Sequence, residues 1–219
     1  CDSSNTAQQK LLLANSTVHN CQGYGLQAVS STVEAYNTQF SNTLMDCASF
    51  LGGKTTLTHC TFAQFYPFDG NRGAALRISN HLGDKEYALQ SFDIVNSLIT
   101  GYADDVVMVD NRDNMMANYQ FDHCILRTDK PKDTTVLTHF TDVIWENTKD
   151  YPAGGEKQFV MVDADKQRFN FHLLKLKDGE KSAAVDAGKV LNDTRFAKDH
   201  DGKPRDNKPD IGCYELMSN

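Results

Sequence analysis

The chain has 219 residues, with 22 Lys plus Arg against 29 Asp plus Glu and a net charge of −7. That acidic balance removes the electrostatic basis for general nucleic-acid binding, and the longest apolar runs, residues 11–14 and 106–109, fall far short of the roughly 18 residues a membrane-spanning helix needs. Hydrophobic residues at 40% and charged residues at 23% fit a globular chain with enough apolar surface for one sizeable core.

In chain order, Cys1 comes first and residues 2–9 are small and polar, as in a short tether. This beginning resembles that of mature bacterial lipoproteins, in which a signal peptide is cut just before a Cys that carries several acyl chains. Such a group of chains anchors firmly where a single chain does not. The resemblance implies lipid attachment at Cys1, residues 1–10 as a tether and residues 11–219 as a single domain. With Cys1 acylated, Cys21, Cys47, Cys60, Cys124 and Cys213 remain. Five thiols cannot all pair, and no Cys-x-x-Cys spacing supports a zinc or thioredoxin-like site.

A repeat then runs from residue 11 to about residue 130. Five segments align without gaps: Leu11-Leu-Leu-Ala-Asn-Ser-Thr-Val18, Val33-Glu-Ala-Tyr-Asn-Thr-Gln-Phe40, Thr55-Thr-Leu-Thr-His-Cys-Thr-Phe62, Phe92-Asp-Ile-Val-Asn-Ser-Leu-Ile99 and Tyr119-Gln-Phe-Asp-His-Cys-Ile-Leu126. The third and eighth columns are apolar, the fifth is Asn or His, and the sixth is Ser, Thr or Cys. From Asn15 to Asn37 and from Asn37 to His59 is 22 residues, from His59 to Asn96 is 37, and from Asn96 to His123 is 27. The apolar alternation predicts a strand. Its break at Asn or His predicts a bend, which Asn enters easily because it tolerates left-handed dihedrals. Two strands joined by such a bend, repeated and stacked, predict a short solenoid in which like residues form files. A β-sandwich gives alternating strands but no fixed Asn/His column. Residues 129–133 read as a turn, and residues 140–145, 159–162 and 169–176 as further strands.

The apolar-x-apolar-x-Asn-Ser-x-apolar segment resembles the coil signature of the right-handed parallel β-helix, the fold of pectate-lyase-like secreted proteins. The tail agrees: Ser182-Ala-Ala-Val-Asp-Ala-Gly188, Asp199-His-Asp-Gly-Lys-Pro-Arg205 and Asp210-Ile-Gly-Cys-Tyr-Glu215 resemble the closing segment of many surface lipoproteins of Gram-negative bacteria. The resemblance implies an all-β fold, a β-helix of about five or more coils with an irregular closing segment. It also implies the company of glycan-capture and nutrient-uptake machinery at the outer membrane. No amphipathic helix is evident ahead of Leu11 to cover the first coil, whose apolar end needs a cover; a partner protein is one candidate.

Candidate chemistry is sparse. His59-Cys60 and His123-Cys124 are separated by an intervening coil, about 9–10 Å, too far for one zinc or a disulfide. They read as ladder positions. Asp199-x-Asp201-Gly202 lacks the later ligands of a calcium loop and reads as a turn cap, with Arg205 paired to Asp186, Asp199 or Asp210. The residues inserted between the third, fourth and fifth repeats are the best site candidates, since long loops on a solenoid carry function. They offer Tyr66, Phe68, Asp69, Arg72, His81, Tyr87, Tyr102, Asp104, Asp105 and Arg112, a mix suited to a sugar or a protein surface. The reading assigns no catalytic residue, no metal and no cofactor. It expects a non-catalytic, lipid-anchored surface protein of the outer membrane, accessory to glycan or nutrient capture, with other surface proteins as partners and an oligosaccharide as candidate ligand. The alternative is a polysaccharide lyase or glycoside hydrolase.

Overall fold

The computed structural model describes residues 10–103, 105–112, 118–147, 149, 155–175 and 179–216. Short strands dominate. β1 (Leu11–Ala14), β2 (Thr17–His19) and β3 (Leu26–Val29) make a first round, and β4 (Thr32–Tyr36), β5 (Gln39–Ser41) and β6 (Ala48–Leu51) a second. A third holds β7 (Gly53–Thr58), β8 (Thr61–Gln64) and β9 (Leu76–Ser79), and ends in the hairpin of β10 (His81–Leu82) and β11 (Lys85–Glu86). β12 (Leu89–Val95), β13 (Leu98–Gly101) and β14 (Val107–Asp110) make the fourth; β15 (Tyr119–Asp122) and β16 (Ile125–Leu126) belong to the fifth. After a single-turn helix α1 (Thr134–Leu137), β17 (Phe140–Thr141) and β18 (Ile144–Trp145) add a sixth, and β19 (Phe159–Asp163) and β20 (Arg168–Leu173) form an antiparallel hairpin.

The fold is all-β, and its three main sheets are parallel. The first sheet runs β1-β4-β7-β12-β15-β17, the second β18-β16-β13-β8-β5-β2 and the third β14-β9-β6-β3. Successive strands therefore enter the three sheets in rotation. The register is the one the repeat predicts. Leu13, Ala35, Leu57, Ile94 and Phe121 are neighbours in the first sheet, and Val18, Phe40, Phe62, Ile99 and Leu126 in the second. Phe140 and Trp145 extend these two files.

The corner between the first two sheets is where sequence dictates backbone. Asn15, Asn37, His59, Asn96 and His123 all have φ between 46° and 49°. Each donates its N–H to the carbonyl of the residue just before the next corner: Tyr36, Thr58, Val95, Asp122 and Thr141, at 2.9–3.1 Å. Asp142, with φ 49°, occupies the sixth corner, which the sequence hides because Asp replaces Asn and Val143 replaces the small residue. The small sixth column also has a reason. The hydroxyls of Ser16, Thr38 and Ser97 and the thiols of Cys60 and Cys124 donate to the carbonyl two residues back, satisfying a group exposed by the bend. Burial pushes both thiols up to about 12, so they are structural and unreactive near neutrality.

Two apolar layers result. The inner one fills the space between the three sheets, with Phe40 and Phe62 stacked at 5.0 Å. The outer one lies on the outside of the second sheet, where Leu98, Ile125 and Ala63 meet Phe159, Phe171, Leu173, Ile211 and Cys213. Each fully buried large side chain contributes roughly 1.5–3 kcal/mol.

Asn96 tests the corner. It is fully buried; its amide donates to Lys189 O and accepts from Lys189 N, both at 2.8 Å, and contacts His59 Nε2 at 3.0 Å. Asn96→Ala adds left-handed strain and strands both Lys189 groups, so thermal denaturation should show a loss of about 3 kcal/mol and about 10 °C. Asn20→Ala, at an exposed left-handed corner with φ 55°, should cost only about 1 kcal/mol; equal losses would sink the docking role of Asn96.

Candidate functional site

The outer face of the second sheet changes character along the stack. The outward residues Thr17, Gln39 and Thr61 are polar, whereas Leu98, Ile125 and Ile144, in register with them, are apolar. The β19–β20 hairpin and residues 182–216 cover the apolar end. Over the first two rounds the face is left as the floor of an open cleft of about 500 Å³, lined by Thr17, His19, Asn20, Gln39, Ser41 and Asn42 from the sheet side. Gln167, Phe169, Asn170, Phe171 and His172 from the hairpin, with Tyr214, form the facing wall. A second depression of about 400 Å³ shares Asn20, Gln167 and Phe169 and continues to Gln22, Tyr66, Pro67 and Phe68.

The wall is rigidly built. The Tyr214 hydroxyl donates to Gln39 Oε1 at 2.8 Å, and Gln39 Nε2 donates to Ser41 Oγ at 2.9 Å. Burial pushes the Tyr214 phenol up, which keeps it a donor. The His172 ring stacks on Tyr214 with centroids 4.1 Å apart, and its two nitrogens face Asn170 Oδ1 at 2.6 Å and Asp201 Oδ2 at 2.8 Å. Burial works against the Asp201 carboxylate, but hydrogen bonds from His172 and Lys203 outweigh it and hold its pKa below the ordinary range. His200 bridges Asn37 O at 2.9 Å and Thr17 Oγ1 at 3.2 Å, tying the wall to the floor.

Behind the wall, the closing segment is a lock of buried charge. Asp210 accepts from Asp186 N and Leu216 N, Asp199 from Asp201 N, Lys203 N and Glu215 N, and Glu215 from Asp210 N and Asp206 N. Arg205 pairs with the carboxylate of Glu215 at 2.9 Å, not with that of Asp186, Asp199 or Asp210, and also donates to Asp210 O, Asn37 Oδ1 and Gly212 O. Gly212, with φ 101°, donates to Asn96 O, and a Cβ there would come within 2.8 Å of Thr61 Oγ1. Asp199-x-Asp201-Gly202 is thus a capped turn.

The sequence candidates fall into two groups. Tyr66, Phe68, Asp69, Arg72, Tyr102 and Asp105 lie at the corners leading from the second sheet to the third. Tyr66 and Phe68 meet edge to face at 5.4 Å, the Arg72 guanidinium sits 5.1 Å over Tyr102 and donates to Asp69 O, and Asp105 accepts from Thr128. His81, Tyr87 and Arg112 lie beyond β9, around the β10–β11 hairpin. There His81 faces Asp110 at 3.2 Å, Lys85 sits over Tyr87, and Arg112 reaches Gly83 O and Asp84. Of the described candidates, only Tyr66 and Phe68 line either depression, both in the second. Cys1 and Asp104 lie outside the described residues. The floor residues carried one overlooked signal: the outward seventh column is polar in the first three repeats and apolar afterwards. The hairpin strands and the segment holding Tyr214 are legible in the sequence, but nothing local sets them against the second sheet.

Asp122, His123 and Asp142 bring ligand atoms within 4.8 Å of one another. Asp122 already accepts from His123 at 2.6 Å and from Lys189 Nζ at 2.8 Å, so an ammonium supplies the local counter-charge. Known protein families and characterised proteins give no match to this chain.

Burial raises Asp210 to about 6, above the roughly 3.9 of an unfolded Asp. The folded state therefore binds this proton more tightly, and the cost of burying the carboxylate is full above about pH 6 and fades as pH falls toward about 4. Asp210→Asn cannot titrate. The Tm of the wild type minus that of the variant should rise between about pH 7 and about pH 5; a flat or falling difference overturns the assignment.

Proposed function

We propose that this protein is a compact right-handed parallel β-helix that acts as a non-catalytic accessory protein of glycan or nutrient capture, with the cleft on its second sheet as the ligand site. Support for the β-helix comes from the strands entering three parallel sheets in rotation and from the file of left-handed corners. The single observation that carries the binding role is the cleft itself. It is open, placed on a hydrogen-bonded sheet, walled by a locked segment, and rich in amides, hydroxyls and aromatic rings. A lyase needs a base beside a carboxylate-held cation, and a glycosidase a carboxylate pair about 5–9.5 Å apart. The cleft offers no carboxylate among its described lining residues. Lipid at Cys1 and attachment to partner proteins of the outer-membrane surface belong to the same proposal.

Affinity electrophoresis through a panel of soluble glycans should retard the protein on at least one of them. His19→Ala, a change on the exposed floor, should weaken that retardation. No binding tighter than about 1 mM across the panel would remove the binding role, and release of reducing ends or unsaturated products would favour the enzyme alternative. Mass spectrometry of protein extracted from membranes should find an acylated Cys1 peptide; an unmodified one removes the anchor.

A further inference from the structure

The charge of the cleft names the class of its ligand. We infer that it takes a linear, uncharged oligosaccharide, laid across Phe169 from the Tyr214 end to Tyr66 and Phe68. This rests on the binding role proposed above.

Among the described residues, no Asp, Glu, Lys or Arg lines either depression, although 23% of the chain is charged. Among the lining imidazoles, His172 has both ring nitrogens engaged by Asn170 and Asp201. A uronate, sulfate or phosphate group would lose its hydration there without gaining the charge-assisted bonds that recognise anions, and the net charge of −7 adds long-range repulsion. Amides take the place of charge. The exposed Asn20 and Gln167 each present a donor and an acceptor, and Asn170, whose Oδ1 is held by His172, presents its amide donor, which matches sugar hydroxyls that do both.

Aromatic surface supplies the rest. Phe169 stacks nearly parallel to Phe171 at 5.9 Å and 20°, so it is held by the outer apolar layer and acts as a fixed platform. Phe68 is 65% exposed against Tyr66, a cost that a ligand's apolar ring face would relieve. The two depressions share Asn20, Gln167 and Phe169, so a ligand longer than one ring can run through both. An extended peptide is the less fitting occupant, because strand-pairing recognition uses a sheet edge and this floor is built of side chains on a sheet face.

Titration calorimetry with neutral linear oligosaccharides, from dimers to hexamers, and with galacturonate oligomers of matched length tests the inference. The neutral series should bind with affinity rising from dimer to tetramer, and the galacturonates at least about ten-fold more weakly. Phe169→Ala should weaken every neutral oligomer by about ten-fold. Phe68→Ala, at an exposed position that leaves the fold intact, should remove the gain with length while sparing the dimer. Galacturonates binding as well as the neutral series would overturn the inference and leave the binding role standing. Binding of neither series would overturn both. Equal competition by an uncharged peptide of similar length would overturn the sugar assignment.

Discussion

The left-handed corner between the first and second sheets is the constraint on which the rest depends. A residue there must adopt φ near 48°, a conformation that Asn tolerates and most residues resist. In return its N–H reaches the next round, and its side chain points along the stack and outward. Asn37 bonds to Asn15 and to Lys198 O; Asn96 bonds to His59 and to both main-chain groups of Lys189. One file of residues therefore fixes strand register and also docks the tail. Where His stands in the file the backbone is the same, and at His59 burial, with Arg205 nearby, holds the ring neutral by pushing its pKa well below the usual value.

The tail returns the dependence. Its buried Arg205–Glu215 pair and the carboxylates of Asp199 and Asp210 are costly to dehydrate, and each is offset by several main-chain donors. Networks of that kind contribute more to uniqueness than to raw stability. Here the effect is to hold residues 182–216 in one arrangement on the second sheet. The Asp-Ile-Gly-Cys-Tyr-Glu run is accounted for residue by residue. Asp210 and Glu215 cap, Ile211 and Cys213 fill the outer layer, Gly212 permits close approach to Thr61, and Tyr214 reaches the cleft. The structural lock and the cleft thus share a side chain.

The cleft itself arises because the cover is apolar and the floor is only half so. Leu98, Ile125 and Ile144 attract the hairpin and the closing segment, whereas Thr17 and Gln39 are met by the polar side chains of His200 and Tyr214 at the margin of the cover, beside the open cleft. The residues inserted into the third round are divided between two corners, one carrying Tyr66 and Phe68 to the end of the cleft and the other forming the β10–β11 hairpin away from it.

What was legible in the sequence was whatever repeats locally. Alternating apolar columns, the Asn/His bend and the small residue after it are dictated by backbone sterics and by one-strand burial, so they show as periodicity, and the register of five rounds follows from it. The sixth round escaped because Asp142 and Val143 keep the geometry without the residue types. Which inserted residues share a surface, and which part of the second sheet stays uncovered, only the tertiary structure decided. The partners of Gln39 and Thr17 are Tyr214 and His200, residues 175 and 183 positions away, and no local pattern encodes a pairing set by where a tail happens to dock.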